Sequence, residues 1–253
     1  MAKHPIVSRE EWIVARKLLL AKEKEITRQI DDISRQRREL PWVKIEKTYV
    51  FEGPNGAKET LADLFDGRSQ LIVQHFMFGP DWAEGCTGCS FKSDHIDGAR
   101  VHLEHHDVSF VSVSRAPIEK IEAYRKRMGW TFKWVSSFHS DFNYDYGVSF
   151  RKGEPAMYNY VMHPEPPDGM DEASGDSVFS MDEAGDIYHT YSTFGRGDEK
   201  LVGAYNYLDL TPKGRNETGP GFNLMDWVKR HDQYDDTPVR IGISAARNKT
   251  RPS

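Results

Sequence analysis

The stretch Gln70-Leu71-Ile72-Val73-Gln74-His75-Phe76-Met77-Phe78-Gly79-Pro80-Asp81-Trp82, running on through Cys86-Thr87-Gly88-Cys89 to His106, decides how the chain reads. Leu71 to Phe78 holds too many consecutive apolar residues for a half-exposed strand and reads as a central strand buried on both faces. Gly79-Pro80-Asp81-Trp82 follows as a turn. The only two cysteines of the chain then open a helix whose apolar stripe, Ile96, Ala99, Leu103 and Val101, ends near Asp107. Two cysteines in a C-x-x-C, after a strand and at a helix start, are placed for dithiol chemistry.

Downstream, Val108 to Ser114 alternates like another strand, and Pro117 starts a helix through Met128 that Gly129 closes. Strand, helix, strand, helix is a βαβ arrangement with parallel strands, so the chain is expected to be an α/β protein. Trp134 to Ser137 reads as a short strand and Phe142 to Val148 as a turn of helix. Residues 151–176, with Pro155, Pro164, Pro166 and Pro167 beside several acids, read as an irregular insertion. Ser177 to Met181 and Ile187 to Tyr191 form a hairpin about an Asp182-Glu183-Ala184-Gly185-Asp186 turn. Tyr205 to Leu210 ends the regular part, and a last short helix is expected over Phe222 to His231. Upstream, Tyr49-Val50-Phe51 leads through Glu52-Gly53-Pro54-Asn55-Gly56-Ala57-Lys58 into a hairpin, and Leu61 to Phe65 is a helical turn closed by Gly67.

The chain opens with a capping box, Ser8-Arg9-Glu10-Glu11, from which a helix should run to Leu40, where Pro41 stops it. Trp12, Ala15, Leu19, Ile26, Ile30 and Ile33 share one face. Thirty residues of helix span about 45 Å, longer than a compact domain is wide. Trp12, Leu19, Ile26 and Ile33 recur at coiled-coil heptad spacing, which predicts packing against a second copy and hence a homodimer. The expected organisation is a helical arm over 1–41 and one α/β domain over 42–253.

Of the 253 residues, 38% are apolar and 29% charged, with a net charge of −5. This balance gives no general attraction to nucleic acid or to an anionic membrane. The arginines and lysines of the N-terminal helix, Lys22 to Arg38, read as a solvated face. No apolar run approaches the roughly 18 residues of a membrane span, and Met1-Ala2-Lys3-His4-Pro5 leads into charged sequence with no secretory core, so the expected location is cytoplasmic. In a reducing compartment two close cysteines serve catalysis, redox sensing or metal binding more often than structure.

At a helix start the Cys86 sulfur meets unpaired backbone N–H groups, which favour the thiolate. Cys89 lies one turn deeper on the same face, within disulfide reach. Cys86 is therefore the expected nucleophile and Cys89 the resolving thiol. Asp81 and Glu84, if close in space, raise the Cys86 pKa. Trp82 flanks the loop, and Thr87 and Gly88 form the intervening pair, Gly88 weakening the first turn by up to about 1 kcal/mol relative to Ala. His75 sits near the C-terminal end of the central strand and is either a hydrogen-bonded core histidine or a proton carrier for the thiols. His95, His102, His105 and His106 raise the question of a metal. A continuous helix from Cys86 carries His102 and His106 about 20 Å from the thiols, so they share no ion with them, and no metal or other cofactor is expected. Tyr188, Tyr191, Tyr205 and Tyr207 read as packing residues alternating on strands.

The segments Phe76 to Trp82, Glu84 to Phe91 and Asp94 to Gly98, with Val111 to Pro117, Tyr207 to Glu217 and Arg230-His231-Asp232, resemble a bacterial family catalogued as domain of unknown function 899. Its members are described as predicted thioredoxin-like or dithiol–disulfide oxidoreductases. The resemblance implies a thioredoxin-like fold with a central mixed sheet flanked by helices, and it matches Cys86 and Cys89 to the family dithiol. Thioredoxins carry a cis-proline opposite their dithiol; the corresponding place, near Asp176-Ser177-Val178, has none, and Pro155 is an outlying candidate for that role. The reading is a thiol-disulfide oxidoreductase acting on a disulfide-containing protein or a small oxidised substrate. Its rivals are a peroxiredoxin-like peroxidase, with Cys86 attacking peroxide, and a non-catalytic binding module.

Overall fold

The computed structural model describes residues 4–166, 169–215 and 227–234. Helix α1 (Arg9–Arg38) begins where the capping box places it: Ser8 Oγ accepts the Glu11 N–H at 3.2 Å, and Glu11 accepts the Ser8 N–H at 2.9 Å. Ion pairs such as Arg35 with Asp32 and Glu39 lace its outer surface. Against the described residues none of its 30 residues is buried; Trp12, Leu19, Ile26, Ile30 and Ile33 all stand in solvent.

The remaining elements are β1 (Val43–Lys44), β2 (Val50–Glu52), β3 (Lys58–Thr60), β4 (Gln70–His75), α2 (Thr87–Ser93), α3 (Ile96–Glu104) and β5 (Val108–Ser114). They continue with α4 (Ile118–Arg127), β6 (Lys133–Ser136), α5 (Phe142–Asp145), β7 (Ala156–Tyr158), β8 (Val161–His163), β9 (Gly175–Met181), β10 (Ile187–Phe194) and α6 (Gly203–Leu208). Eight strands form one sheet in the order β1-β10-β9-β4-β5-β6-β2-β3. β4, β5 and β6 are mutually parallel, as the βαβ reading requires, and β9 runs antiparallel to β4 with β10 antiparallel to β9. A parallel β4–β5 pair joined across helices, extended on the β4 side by an antiparallel hairpin, is the thioredoxin-like arrangement.

Alternation along β4 separates two apolar layers. Leu71 and Val73 join Phe51, Leu64, Phe65, Phe142 and Phe179 on one face. On the other, Ile72 and Phe76 pack with Ile121, Tyr124, Trp130, Phe132 and Trp134 beneath α2 and α4. Each fully buried large side chain stabilises the fold by roughly 1.5–3 kcal/mol. Buried Gln74 ties α2 to the sheet: its Oε1 accepts Ser93 Oγ at 3.1 Å and Ser112 Oγ at 2.9 Å, while its Nε2 reaches the Cys89 carbonyl at 3.5 Å.

Several expectations need correction. The strand ends at His75, and Phe76 to Phe78 lie beyond it, still tied to the next segment by hydrogen bonds from the Phe76 N–H to the Val113 carbonyl at 3.0 Å and from the Ala116 N–H to the Phe78 carbonyl at 2.8 Å. The single helix from Cys86 to Asp107 is two, broken at Asp94-His95. There the side chains serve distant partners: Asp94 accepts the Trp130 indole N–H at 2.9 Å, and His95 Nε2 accepts the Ala204 N–H at 3.0 Å. Residues 151–176 are not wholly irregular, for β7 and β8 pair as a separate hairpin and Gly175 and Asp176 already belong to β9. Tyr205 and Tyr207 lie on α6 rather than on strands. The first half of the helix expected over Phe222 to His231 lies outside the described residues; Val228 to Arg230 are non-helical, and a 3-10 turn spans His231–Gln233. No helix among the described residues is long and apolar enough to cross a membrane.

Candidate active site

Cys86 is the N-cap residue of α2, and Cys89 lies one turn in, fully buried, so the sequence places the two thiols as expected. Both are free thiols. The chain after β4 clamps them through one residue: Met77 accepts the Cys86 N–H at 3.0 Å and gives its own N–H to the Cys89 sulfur at 3.4 Å. Gly85 makes this loop possible, because a Cβ there would lie 2.6 Å from the Phe76 ring and 3.1 Å from that of Tyr124. Ser90 fastens the next turn, its hydroxyl donating to the Cys86 carbonyl at 2.8 Å and pairing with the Tyr124 hydroxyl at 2.9 Å.

The Cys86 thiol is lowered to about 6. Its largest cause is the hydrogen bond that the Cys89 thiol donates to its sulfur. The backbone N–H groups of Cys89 and Gly88 and the positive charge of Arg230 add to this, against the opposing effect of burial. Cys89 is pushed the other way, up, by that same donated bond and by burial. One thiol is thus poised as the anion and its neighbour kept as the proton donor.

Arg230 reaches this site from the far end of the described chain. Its guanidinium donates to the Gly85 carbonyl at 2.6 Å and to the Tyr124 hydroxyl at 2.8 Å, and pairs with Glu84 at 2.9 Å. Arg127 holds the same Glu84. This corrects the expectation that Glu84 raises the Cys86 pKa, since two guanidiniums offset its charge. Beneath the site Lys92 is buried and bonded to Asp176 and Asp198, each at 2.8 Å. Burial alone would lower the Lys92 pKa; the two carboxylates reverse that and keep it protonated.

A cleft of about 410 Å³ opens beside the thiols. Cys86, Gly88 and Cys89 form its floor, and Met77, Phe91, Val202 and Tyr205 its apolar walls. The sequence signals none of Arg230, Lys92, Asp198 or Val202, because each acquires its place through a contact 80 or more positions away or through an irregular segment. Only the pairing of Lys92 with distant acids could have been guessed, as a lysine on an otherwise buried helix face.

The family description "Bacterial protein of unknown function (DUF899)" matches residues 1–234. The chain belongs to this family. No curated protein matches it. Among solved structures it is similar to peroxidoxin BcpB from Mycobacterium tuberculosis, with 10% identity over 67% of this chain and 97% of that one and a TM-score of 0.43. Peroxiredoxin Q of Xanthomonas campestris aligns at 10% identity over 61% and 85%, with a TM-score of 0.42. A putative thioredoxin from Neisseria meningitidis aligns at 14% identity over 67% and 89%, with a TM-score of 0.37.

In this DUF899 chain the remaining candidates divide. Thr87 and Gly88 stay with the thiols, and Glu84 stands at the loop through Arg230. Trp82 packs against the helix-side core, and its carbonyl is held by Lys120, so it braces the loop from outside the cleft. His75 is not brought to the thiols. It points to the opposite sheet face, stacks on Tyr146 with centroids 5.9 Å apart, and bonds Ser177 at 2.8 Å. Burial lowers its pKa to about 3, so it stays neutral, a core histidine. No cis peptide occurs among the described residues; Ser174 precedes β9 beside the cleft, and Pro155 lines a different hollow near Tyr144 and His189.

Proposed function

We propose that the chain is a thiol-disulfide oxidoreductase in which Cys86 attacks an oxidised sulfur and Cys89 resolves the mixed disulfide. The observation that carries this reading is the pairing of a lowered Cys86 with a hydrogen-bonded, raised Cys89 on the floor of one cleft. In the first step Cys86 S⁻ forms a bond to one substrate sulfur, the substrate S–S bond breaks, and the leaving thiolate takes a proton. Cys89, once deprotonated, then attacks the Cys86 sulfur and releases the second thiol, leaving a Cys86–Cys89 disulfide. No cofactor enters these steps.

The test begins with alkylation. Iodoacetamide modification of Cys86 in the reduced protein should rise with pH about a midpoint near 6. Below that midpoint the thiol is protonated and slow; above it the rate reaches a plateau. Arg230→Gln should move the midpoint upward, and Cys89 should remain unmodified without denaturant. A wild-type midpoint in the ordinary thiol range of about 8–9 would remove the basis for Cys86 as nucleophile. Rapid oxidation by hydroperoxide, with disulfides left untouched, would transfer the site to peroxidase chemistry.

The proposal extends to assembly and location. Residues 1–41 form an arm outside the α/β domain of 42–253, and a second copy covers its apolar stripe. Removal of residues 1–40 should halve the mass measured by light scattering; an unchanged mass would remove the dimer. A working dithiol of this kind fits a reducing compartment such as the cytoplasm.

A further inference from the structure

The cleft beside the thiols has a shape that bears on what can reach them. Its apolar walls come from three separate elements: Met77 from the chain after β4, Phe91 from α2, and Val202 and Tyr205 from the segment leading into and through α6. The 3-10 turns over Gly195–Leu201 contribute Gly195, Arg196, Asp198 and Glu199 to the opposite side. Cys86 is half-buried between these walls and Cys89 lies below it. A volume of about 410 Å³ falls within the range of small-molecule sites.

A folded protein presenting a disulfide would dock by different means. An extended polypeptide gains most of its hold from main-chain hydrogen bonds to an open strand edge or an unpaired loop carbonyl. Beside these thiols both strands are already paired on each side: β4 lies between β5 and β9, and β9 between β4 and β10. The carbonyl of Ser174, the cleft residue that leads into β9, accepts the Tyr158 hydroxyl at 3.2 Å. Gly175, next along, is packed under Phe194, whose ring would lie 2.5 Å from any Cβ added there.

We propose that the disulfide exchanging with Cys86 is a low-molecular-weight one with apolar substituents, seated in this cleft, rather than a cysteine pair on a folded protein. This rests on the thiol-exchange reading above. One substituent occupies the space between Phe91, Val202 and Tyr205 while the nearer sulfur meets Cys86. The substrate R–S–S–R accepts two electrons and two protons, leaves as two R–SH, and the reduced dithiol becomes the Cys86–Cys89 disulfide.

The experiment is a single-turnover series on the reduced full chain. Bis(2-hydroxyethyl) disulfide, dibutyl disulfide and insulin are each mixed with it, disulfide formation is counted by alkylation and mass spectrometry, and each rate is divided by that of dithiothreitol with the same disulfide. The normalised rate should rise about tenfold or more from the hydroxyethyl to the butyl compound, with saturation, and insulin should be no faster than the hydroxyethyl compound. Val202→Thr, which keeps the side chain's shape, should lower the ratio of the butyl rate to the hydroxyethyl rate several-fold. If insulin is fastest, or butyl and hydroxyethyl rates are equal while the Cys86–Cys89 disulfide still forms, the substrate class is wrong and the exchange chemistry stands. If no disulfide oxidises the pair, the exchange reading itself fails.

Discussion

Cys89→Ser should accumulate a covalent adduct at Cys86 when mixed with bis(2-hydroxyethyl) disulfide, releasing one equivalent of thiol where the wild type releases two. The replacement hydroxyl can still donate a hydrogen bond to the Cys86 sulfur, the interaction that most favours its anion. The attacking thiol therefore survives the change, while a hydroxyl cannot open a disulfide. Cys86→Ser should lower turnover by several orders of magnitude and form no adduct, since the nucleophile itself is gone. Intact-protein mass spectrometry reads both outcomes. Full activity of Cys89→Ser, with no adduct, would end its role as resolving thiol. Cys89→Ala adds a further arm: without the donated bond, the alkylation midpoint of Cys86 should climb.

Lys92→Met should be the most destabilising single change at the site, by about 3–5 kcal/mol in urea unfolding of the reduced protein. The lysine ammonium bridges Asp176 on β9 and Asp198 on the turns before α6, in a place from which water is largely removed. Removing it leaves two buried carboxylates facing each other with no counter-charge. Adding Asp176→Asn and Asp198→Asn to Lys92→Met should recover most of the loss, since no unpaired charge then remains. A loss under about 1 kcal/mol for Lys92→Met would mean that the three groups contribute little to holding α2 against β9.

What was legible beforehand is what local chemistry dictates. The Ser8–Glu11 box sets the start of α1, the Leu71 to Phe78 run marks the central strand though the strand itself stops at His75, and Pro117 and Gly129 bracket α4. The β7–β8 hairpin carries little local signal because its two-residue turn is Asn159-Tyr160, both at positive φ. That conformation is usually announced by Asn-Gly, and a tyrosine in the second place hides it. The break at Asp94-His95 is locally silent for another reason. Nothing in Ser93-Asp94-His95-Ile96 forbids helix; the chain leaves it to satisfy Trp130 and Ala204, which no local reading can place. At the thiols the helix-start reading and the lowered Cys86 run the same way, and only the effect expected of Glu84 differs, because the cations beside it come from α4 and from Arg230.

The hydrogen bond from Arg230 to the Gly85 carbonyl joins positions 145 apart along the chain. During synthesis the strand, the thiols and their helix emerge well before that arginine does. Through that interval the thiols lack part of their finished electrostatic surroundings, and less of Cys86 is thiolate than after Arg230 docks. The last increment of the thiol's reactivity thus waits for a segment made long after the thiols themselves, and a chain cut short before Trp227 would carry the dithiol without that guanidinium.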